Sequence, residues 1–400
     1  MPPSFARAAV ASPTHDRAAP GDPIVDVRAW ATSFPVPTAQ SVRLGVGRTL
    51  KRDAVIVKVT TEGGLIGWGE SHHGRAHSSV AHFVTHALKP MVLGMDASDV
   101  NGVWQRIYAR QLASHGIGAG CAIAMSGIDM ALWDIRGKAT GWPLYKLLGG
   151  ASKPIPAYAG GVALGWQDPS SLVDEAAAHV QAGYKALKLR LGDTVERDVA
   201  RVAAVRKAFG DGIEILTDVN AAYTLADARR AIPQLDELGV GWLEEPFPAH
   251  DYRSYELARA YGRVPFAAGE NHYTRFEFNR LVDDRVVSIL QPDLSKTGGI
   301  TETMRIAALA SAYKLPIHPH SSMTGINMAA TLHVLAAIEG HGYFEADVSR
   351  GNLFRDALVA TPFAIGSDGC VRPSDRPGIG VEVDEAFLDA HPAIEGPAYA

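Results

Sequence analysis

From about residue 154 onward the chain repeats one unit: a short apolar run, a polar residue at or near its end, then an amphipathic stretch. The runs are "IPAYAG", "YKALKLRLG", "IEILTDVN", "VGWLEEP", "VPFAAGEN", "VVSILQPD", "LPIHPHS" and "GYFEAD". Between them lie segments of helical period such as "VERDVARVAAVRKAFG" and "TLADARRAIPQLDELG". Strands returned by helices predict parallel crossovers, and eight of them predict a (β/α) barrel. The competing architecture is an open doubly wound sheet. It would carry a glycine-rich phosphate turn after its first strand, and none stands there.

The ends of these runs carry the chemistry. Lys188 and Arg190 close the second run, Asp218 the third, Glu244 the fourth and Glu270 the fifth. Asp293 closes the sixth, His320 the seventh and Glu345 the eighth. Counted from Lys188 the intervals are 30, 26, 26, 23, 27 and 25 residues, about one β/α unit each time. A barrel gathers its C-terminal strand ends at one face, so these side chains are predicted to share a pocket. Asp218, Glu244 and Glu270 belong to adjacent strands, and three converging carboxylates cannot all stay ionised without a cation. Hard oxygen donors without clustered Cys or His predict Mg²⁺ rather than Zn²⁺.

Asp293 and His320 are predicted on neighbouring strands, where the carboxylate fixes the imidazole tautomer and raises its basicity. That makes a general base near neutral pH. His318 shares the face of His320 and is the alternative base. His320 lies nearer the mouth, which favours it and leaves His318 to fill a barrel layer or support the site. Lys188 and Arg190 leave their strand on one face, an unusual pairing because like charges repel.

Upstream of the barrel the pattern differs. "IVDVRAWATSF" and "DAVIVKVTTEGGLIGWGE" alternate apolar and polar residues, while "SSVAHFVTHALKPMVLG" and "CAIAMSGIDMALWDIRGKAT" have helical period. Strands then helices, without alternation, predict an α+β domain. The expected division is a disordered leader 1–22, an α+β domain 23–150, the barrel 151–362, and a C-terminal segment 363–400 returning to the first domain. With 47% hydrophobic and 20% charged residues over 400 positions, the chain can bury a large core without disulfides. Cys121 and Cys370 then read as free thiols of a reducing compartment. A net charge of −5 without a basic stripe argues against nucleic acid as partner. No run reaches the roughly 18 apolar residues of a membrane helix, and the Ala- and Pro-rich start lacks a signal-peptide core. A cytoplasmic protein is expected.

The motif set "LKLRLG", "TDVNAAY", "WLEEPF", "AAGENHY", "QPDLSKTGG" and "HPHSSMTG", with "GIDMALWDIRGKATGWPLYKLLGG" before the barrel, resembles the enolase superfamily, mandelate racemase subgroup. The resemblance runs from Ile24 onward. It implies a (β/α)₇β barrel under an α+β cap built from both termini, and a symmetric homo-oligomer, often an octamer. It implies Asp218, Glu244 and Glu270 as Mg²⁺ ligands and Asp293–His320 as the dyad, deciding against His318. Glu345 matches an acid that, when protonated, hydrogen-bonds the intermediate. Asn220 and Lys296 match supporting polar residues, and Glu245 a brace of the metal shell. The cap loop 33–49 and "ESHHGRAHSS" would close over the mouth, making His72 and His73 candidate substrate contacts. His272 and Tyr273 follow Glu270 and are candidates too. The arginines Arg43, Arg48 and Arg52 raise the prospect of a diacid substrate.

One position departs from the subgroup. Its second strand usually carries Lys-x-Lys, the second lysine serving as base on the opposite face, and Arg190 stands there instead. A guanidinium stays protonated and is a poor base. Racemisation needs acid–base groups on both faces, whereas loss of a β-hydroxyl after abstraction of the α-proton needs one. The expected function is a Mg²⁺-dependent dehydratase of an aldonate or aldarate, giving a 2-keto-3-deoxy acid. The alternative is a cycloisomerase of a sugar lactone or anhydro acid, with a racemase or epimerase third and a non-catalytic carboxylate-binding barrel last.

Overall fold

The computed structural model describes residues 21–114, 118–360 and 362–400. The expected leader lies outside these apart from its last two residues. The cap begins with an antiparallel sheet of Ile24–Pro35, Lys51–Thr61 and Ile66–Ser71, with Lys51–Thr61 in the middle. This central strand is buried on both faces, and its period of two divides it between two cores. Val55, Val57 and Val59 pack with the cap helices, while Ala54 and Ile56 pack with Trp30, Trp68 and the barrel. "GWG" follows the same division. A Cβ on Gly67 would lie 2.0 Å from the Ala131 carbonyl oxygen, and one on Gly69 2.1 Å from that of Gly127. Only glycine lets the helix Ala119–Thr140 approach the sheet so closely, and Trp68 points the other way.

The barrel is one parallel ladder. Its spatial order is Ile289–Leu290, Phe266–Ala268, Leu243–Glu244, Glu214–Asp218, Ala186–Arg190, Ile155–Gly160 and Phe344–Asp347. The seventh sequence run, "LPIHPHS", forms no extended strand. Ile317 alone bridges Leu290 on one side and His341 on the other, closing the ring. Pro316 and Pro319 flank it, and a residue without an N–H cannot extend a ladder. Helices such as Val195–Phe209 and Leu225–Glu237 cover the outside. The second of these starts on a capping box, Thr224 with Asp227, just beyond the Asp218 loop.

Cap and barrel are joined by buried polar contacts. Arg52 donates to Asp347 at 3.0 Å and to Ser349 at 2.7 Å. It is therefore turned into the barrel wall and not toward a second substrate carboxylate. Trp104 Nε1 donates to the Gly298 carbonyl at 3.0 Å, and Asp129 accepts from the Thr301 amide at 2.9 Å. After Cys370–Val371 pairs with Ile155–Pro156, the chain runs back along the cap, where Pro392 bridges Thr32 and Tyr399 bridges Thr49. No helix among the described residues is long and apolar enough to cross a membrane.

Candidate active site

The strand Ala186–Arg190 is buried at every position, including its two cations. Buried charge needs compensation, and the neighbouring strand ends provide it. Lys188 Nζ lies 2.9 Å from Glu244 Oε1, 3.0 Å from Glu345 Oε1 and 3.5 Å from Asp218 Oδ2. Arg190 pairs with Asp218 through Nη1 and donates to the Gly161 carbonyl through Nη2. Asp218 sits opposite Arg190 on one side and Glu244 on the other in the parallel register. Asn220 donates its amide to Asp218 Oδ1 at 2.9 Å from a left-handed backbone, φ 50°.

Glu244 Oε2 also accepts from Gln291 Nε2 at 2.7 Å and from Trp242 Nε1 at 3.2 Å. Its carboxyl is pushed up to about 7, first by burial and then by Asp218, against the pull of Lys188. Glu245 is raised well above the usual range by burial, Glu270 and Asp218. Glu270 goes the other way, to about 2. Burial raises it, but His320, Lys296 and Lys188 together outweigh that. Lys296 Nζ stands 4.0 Å from Glu270 and donates to Asn271 Oδ1 at 3.0 Å.

His320 Nδ1 meets Asp293 Oδ2 at 2.7 Å. The other Asp293 oxygen accepts from the Ser295 amide at 2.8 Å, Ser295 Oγ at 2.7 Å and Asn327 Nδ2 at 3.0 Å, which fixes the carboxylate. His320 Nε2 faces Ser322 Oγ at 3.1 Å and Glu270 Oε2 at 3.2 Å. Burial lowers its pKa, yet Glu270, Glu345 and Asp293 lift it to about 10. Glu345 shifts the other way. Burial raises its carboxyl, but Lys188, His320 and Arg190 hold it well below the usual range, and it accepts from the Gly161 and Ser321 amides, each at 3.1 Å.

Of these groups Arg190, Asn220, Glu245, Glu270, Lys296 and His320 line a cavity of about 370 Å³, with His72 and His73 from the cap. Lys188, Asp218, Glu244, Asp293 and Glu345 lie behind that wall. The two cap imidazoles stack with centroids 4.2 Å apart. His73 is lowered to about 3, mainly by burial, so it faces the cavity neutral. Tyr273 lines the cavity as well. His272 does not. Its Nε2 donates to the Ala249 carbonyl at 3.1 Å, and its ring packs against Tyr252 and Phe278. The candidate at 272 is corrected accordingly: its neighbours Asn271 and Tyr273 face inward while it faces the wall. A larger groove of about 690 Å³ outside the barrel, along Arg43 and Arg201, contains none of the strand-end carboxylates.

Sequence reasoning missed Gln291, Ser322, Asn327, Arg75 and Tyr399. Gln291 and Ser322 sit inside motifs quoted for other residues. Asn327 lies in the first turn of the helix Gly325–Ala337, and nothing in the local pattern distinguishes it from a core polar residue.

The donors can be tested against the expected Mg²⁺. Among the described residues no three His, Cys, Asp or Glu side chains stand together as a ligand cluster; Asp218 and Glu244 are turned onto Lys188 and Arg190. The chemistry nonetheless suits a hard cation. The three candidates are carboxylates, and two further buried oxygens beside them, Glu245 Oε1 and Asn220 Oδ1, have no hydrogen-bond partner among the described residues. Burial first and neighbouring carboxylates second raise the carboxyls of Glu244 and Glu245, and a cation would offset the second of these causes.

Fold and site together define a capped barrel with an Asp293–His320 pair and converging carboxylates at its strand ends. A family model described as "Mandelate racemase / muconate lactonizing enzyme, N-terminal domain" matches residues 28–149, and one described as "Enolase C-terminal domain-like" matches residues 171–387. The chain belongs to the enolase superfamily, in its mandelate racemase/muconate lactonizing enzyme family. It is 35% identical to D-galactonate dehydratase of Verminephrobacter eiseniae, over 84% of this chain and 90% of that protein. It is 34% identical to arabinonate dehydratase of Saccharolobus solfataricus, over 85% and 90% respectively. Among solved structures, an enolase-superfamily member from Polaromonas sp. JS666 superposes with TM-score 0.92 at 55% identity, covering 94% of this chain and 100% of that one. The 3,6-anhydro-D-galactonate cycloisomerase of Zobellia galactanivorans gives TM-score 0.82 at 30% identity, covering 92% and 99%. A Streptomyces coelicolor A3(2) racemase with bound magnesium gives 0.83 at 30%, also covering 92% and 99%.

Proposed function

We propose that the protein is a Mg²⁺-dependent acid-sugar dehydratase acting on an aldonate such as D-galactonate or arabinonate. The observation that carries this is the asymmetry of the site. One positioned base, His320 on Asp293 at 2.7 Å, stands on one side of the cavity, and a guanidinium stands where a second base would be needed. Arg190 is held protonated, since burial opposes its charge but Asp218, Glu345 and Glu244 favour it more.

Asp218, Glu244 and Glu270 are the residues that would hold Mg²⁺. When bound, the ion supplies positive charge against the negative charge that grows on the substrate carboxylate. Lys188 adds a fixed positive charge at the same end of the barrel. Offset of the negative charge on Glu270 would release the proton that the neighbouring carboxylates hold on this imidazole. Neutral His320 then takes the α-proton at Nε2, its Nδ1 being committed to Asp293. The C–H electron pair forms the new double bond as the β C–O bond breaks, and His320 returns the proton to the departing hydroxyl. The water-loss product is an enol, which ketonises to a 2-keto-3-deoxy acid. Arg190 also lines the cavity and would bind a substrate oxygen or assist the leaving group. His72, His73 and Tyr273 form the substrate-facing wall.

The test is turnover of an aldonate panel with and without Mg²⁺, read by mass spectrometry. Loss of one water with appearance of a 2-keto acid is expected, abolished in His320→Asn. The cycloisomerase reading is the second one, favoured by the Zobellia neighbour. It predicts an anhydro acid converted at constant mass and no product from the aldonates. The free Cys121 and Cys370 suit a reducing cytoplasm. A homo-oligomer is expected, and light scattering would measure it.

A further inference from the structure

Residues 391–400 are stitched along the cap. Thr32 Oγ1 donates to the His391 carbonyl at 2.6 Å, and the buried Lys51 ammonium to that of Ile394. Further on, the Leu50 amide donates to the Ala398 carbonyl at 2.9 Å. The Arg48 amide donates to Ala400 at 2.7 Å, and the Ala400 amide returns a bond to Arg48 at 2.9 Å. Thr49 and Tyr399 face each other as an antiparallel pair. Successive side chains on a paired strand leave on opposite sides. Ala398 goes into the fold, 7% exposed, and Tyr399 goes to the wall of the cavity that holds Arg190, Glu270 and His320.

The cap shapes this contact from its own side. The hairpin Arg43–Leu44 with Gly47–Arg48 turns against the segment. Gly47 has φ +114°, and a Cβ there would stand 3.0 Å from the Ala400 carbonyl oxygen and 3.4 Å from Tyr399 Cβ. A side chain at 47 would be strained and would crowd the strand. Across the mouth, the Arg75 guanidinium lies 5.4 Å from the centroid of the Tyr399 ring. Arg75 has a left-handed backbone, φ 57°, and its amide donates to His73 Nδ1 at 2.9 Å. Three cations line this cavity. Arg190 is paired with Asp218 and Lys296 with Glu270, whereas Arg75 makes no ion pair among the described residues.

A polyhydroxy acid whose reacting carbon lies at His320 must extend its remaining carbons toward the mouth. The donors it meets there are a guanidinium without a carboxylate partner and a phenol held by main-chain pairing. We propose that Tyr399, fixed by the pairing of 398–400 with 48–50, and Arg75 beside it are specificity-determining residues that read the hydroxyl-bearing far end of the substrate. This rests on the dehydratase reading above.

The experiment compares kcat and KM of the wild type, Tyr399→Phe, Tyr399→Ala and Arg75→Gln on a six-carbon and a five-carbon aldonate. Tyr399→Ala and Arg75→Gln are each expected to raise KM for the longer acid by about tenfold, with kcat within about threefold and a smaller loss on the shorter acid. Tyr399→Phe should show part of the same change. Ala400→Pro removes one donor of the pairing. It should speed hydrogen exchange at the Arg48 and Leu50 amides and shift the same six-to-five ratio. An unchanged ratio in Tyr399→Ala and Arg75→Gln, or an equal loss through kcat on both acids, overturns the proposal alone. Unaltered exchange in Ala400→Pro overturns the pairing as its basis. Wild-type turnover of neither acid overturns the dehydratase reading and this proposal with it.

Discussion

His318 and His320 sit two residues apart and are equally buried, 8% and 7% exposed, but they belong to two different regions of the barrel. His318 lies in an aromatic layer. Its ring packs against Trp242 and Tyr343 at 5.0 and 5.7 Å, and its Nδ1 accepts the Tyr343 amide at 3.0 Å. Burial alone acts on it and pushes it down to about 4. His320 stands at the mouth among carboxylates, which overcome the same burial and raise it to about 10. Desolvation therefore does not decide which buried group carries charge in this barrel. The side chains at the strand ends decide it, and the layer beneath provides an apolar floor.

The sharpest way to break that comparison is to truncate both histidines alike. His320→Asn should lower kcat on an acid-sugar substrate by roughly a thousandfold or more, since it removes the proton-transfer group. His318→Asn should stay within about tenfold in kcat, because its ring reaches no cavity-lining group. Equal losses would dissolve the distinction between mouth and layer.

Next in size is the charge balance of the mouth. Lys188 is fully buried against three carboxylates, and deleting one partner of a buried ion pair leaves the others uncompensated. Lys188→Met, measured by denaturant unfolding in EDTA, should cost about 3–5 kcal/mol. Lys185→Met on the same strand run, at an exposed position, should change stability by about 0.5 kcal/mol or less. If the two variants unfold together, Lys188 does not anchor the mouth.

The layer makes its own prediction with pH. His318 has a folded pKa of about 4 against an ordinary value of 6.5. The unfolded chain therefore binds its proton first as pH falls. The stability associated with a neutral His318 is complete above about 6.5 and is lost as pH drops toward 4, by about 3 kcal/mol at most. His318→Leu should flatten that part of the stability profile relative to the wild type. An identical slope in both proteins would place the acid sensitivity elsewhere.

The mouth was far more legible from sequence than its supports. Strand-end residues recur once per β/α unit, so a one-dimensional spacing carries their three-dimensional convergence. Asn327 and Gln291 act through partners tens of residues away, on Asp293 and Glu244, and no local period encodes such a pairing. Arg75 and Tyr399 are farther apart still and meet only because the chain returns to the cap. The seventh run read as a strand because "LPIHPHS" is apolar enough. Its two prolines reduce it to the single bridge at Ile317. Cap strand Lys51–Thr61 shows the opposite case: its alternation is real, but both faces are covered, so alternation did not mean one wet side.

The smallest predicted effect concerns His272 and Tyr273, neighbours on opposite sides of the cavity wall. His272 is lowered to about 4, chiefly by burial, and its one hydrogen bond goes to the Ala249 carbonyl. His272→Leu keeps the packing against Tyr252 and Phe278 and leaves that carbonyl without this donor, a cost of about 1 kcal/mol in stability. Turnover should remain within about twofold of wild type, since no atom of the reaction lies on that side. Tyr273→Phe touches the cavity and should move KM instead, with stability nearly unchanged. The paired result separates a buried polar residue that holds a loop from one that meets substrate. A KM change at 272 larger than that at 273 would show that the loop after Glu270 presents the other face to the substrate.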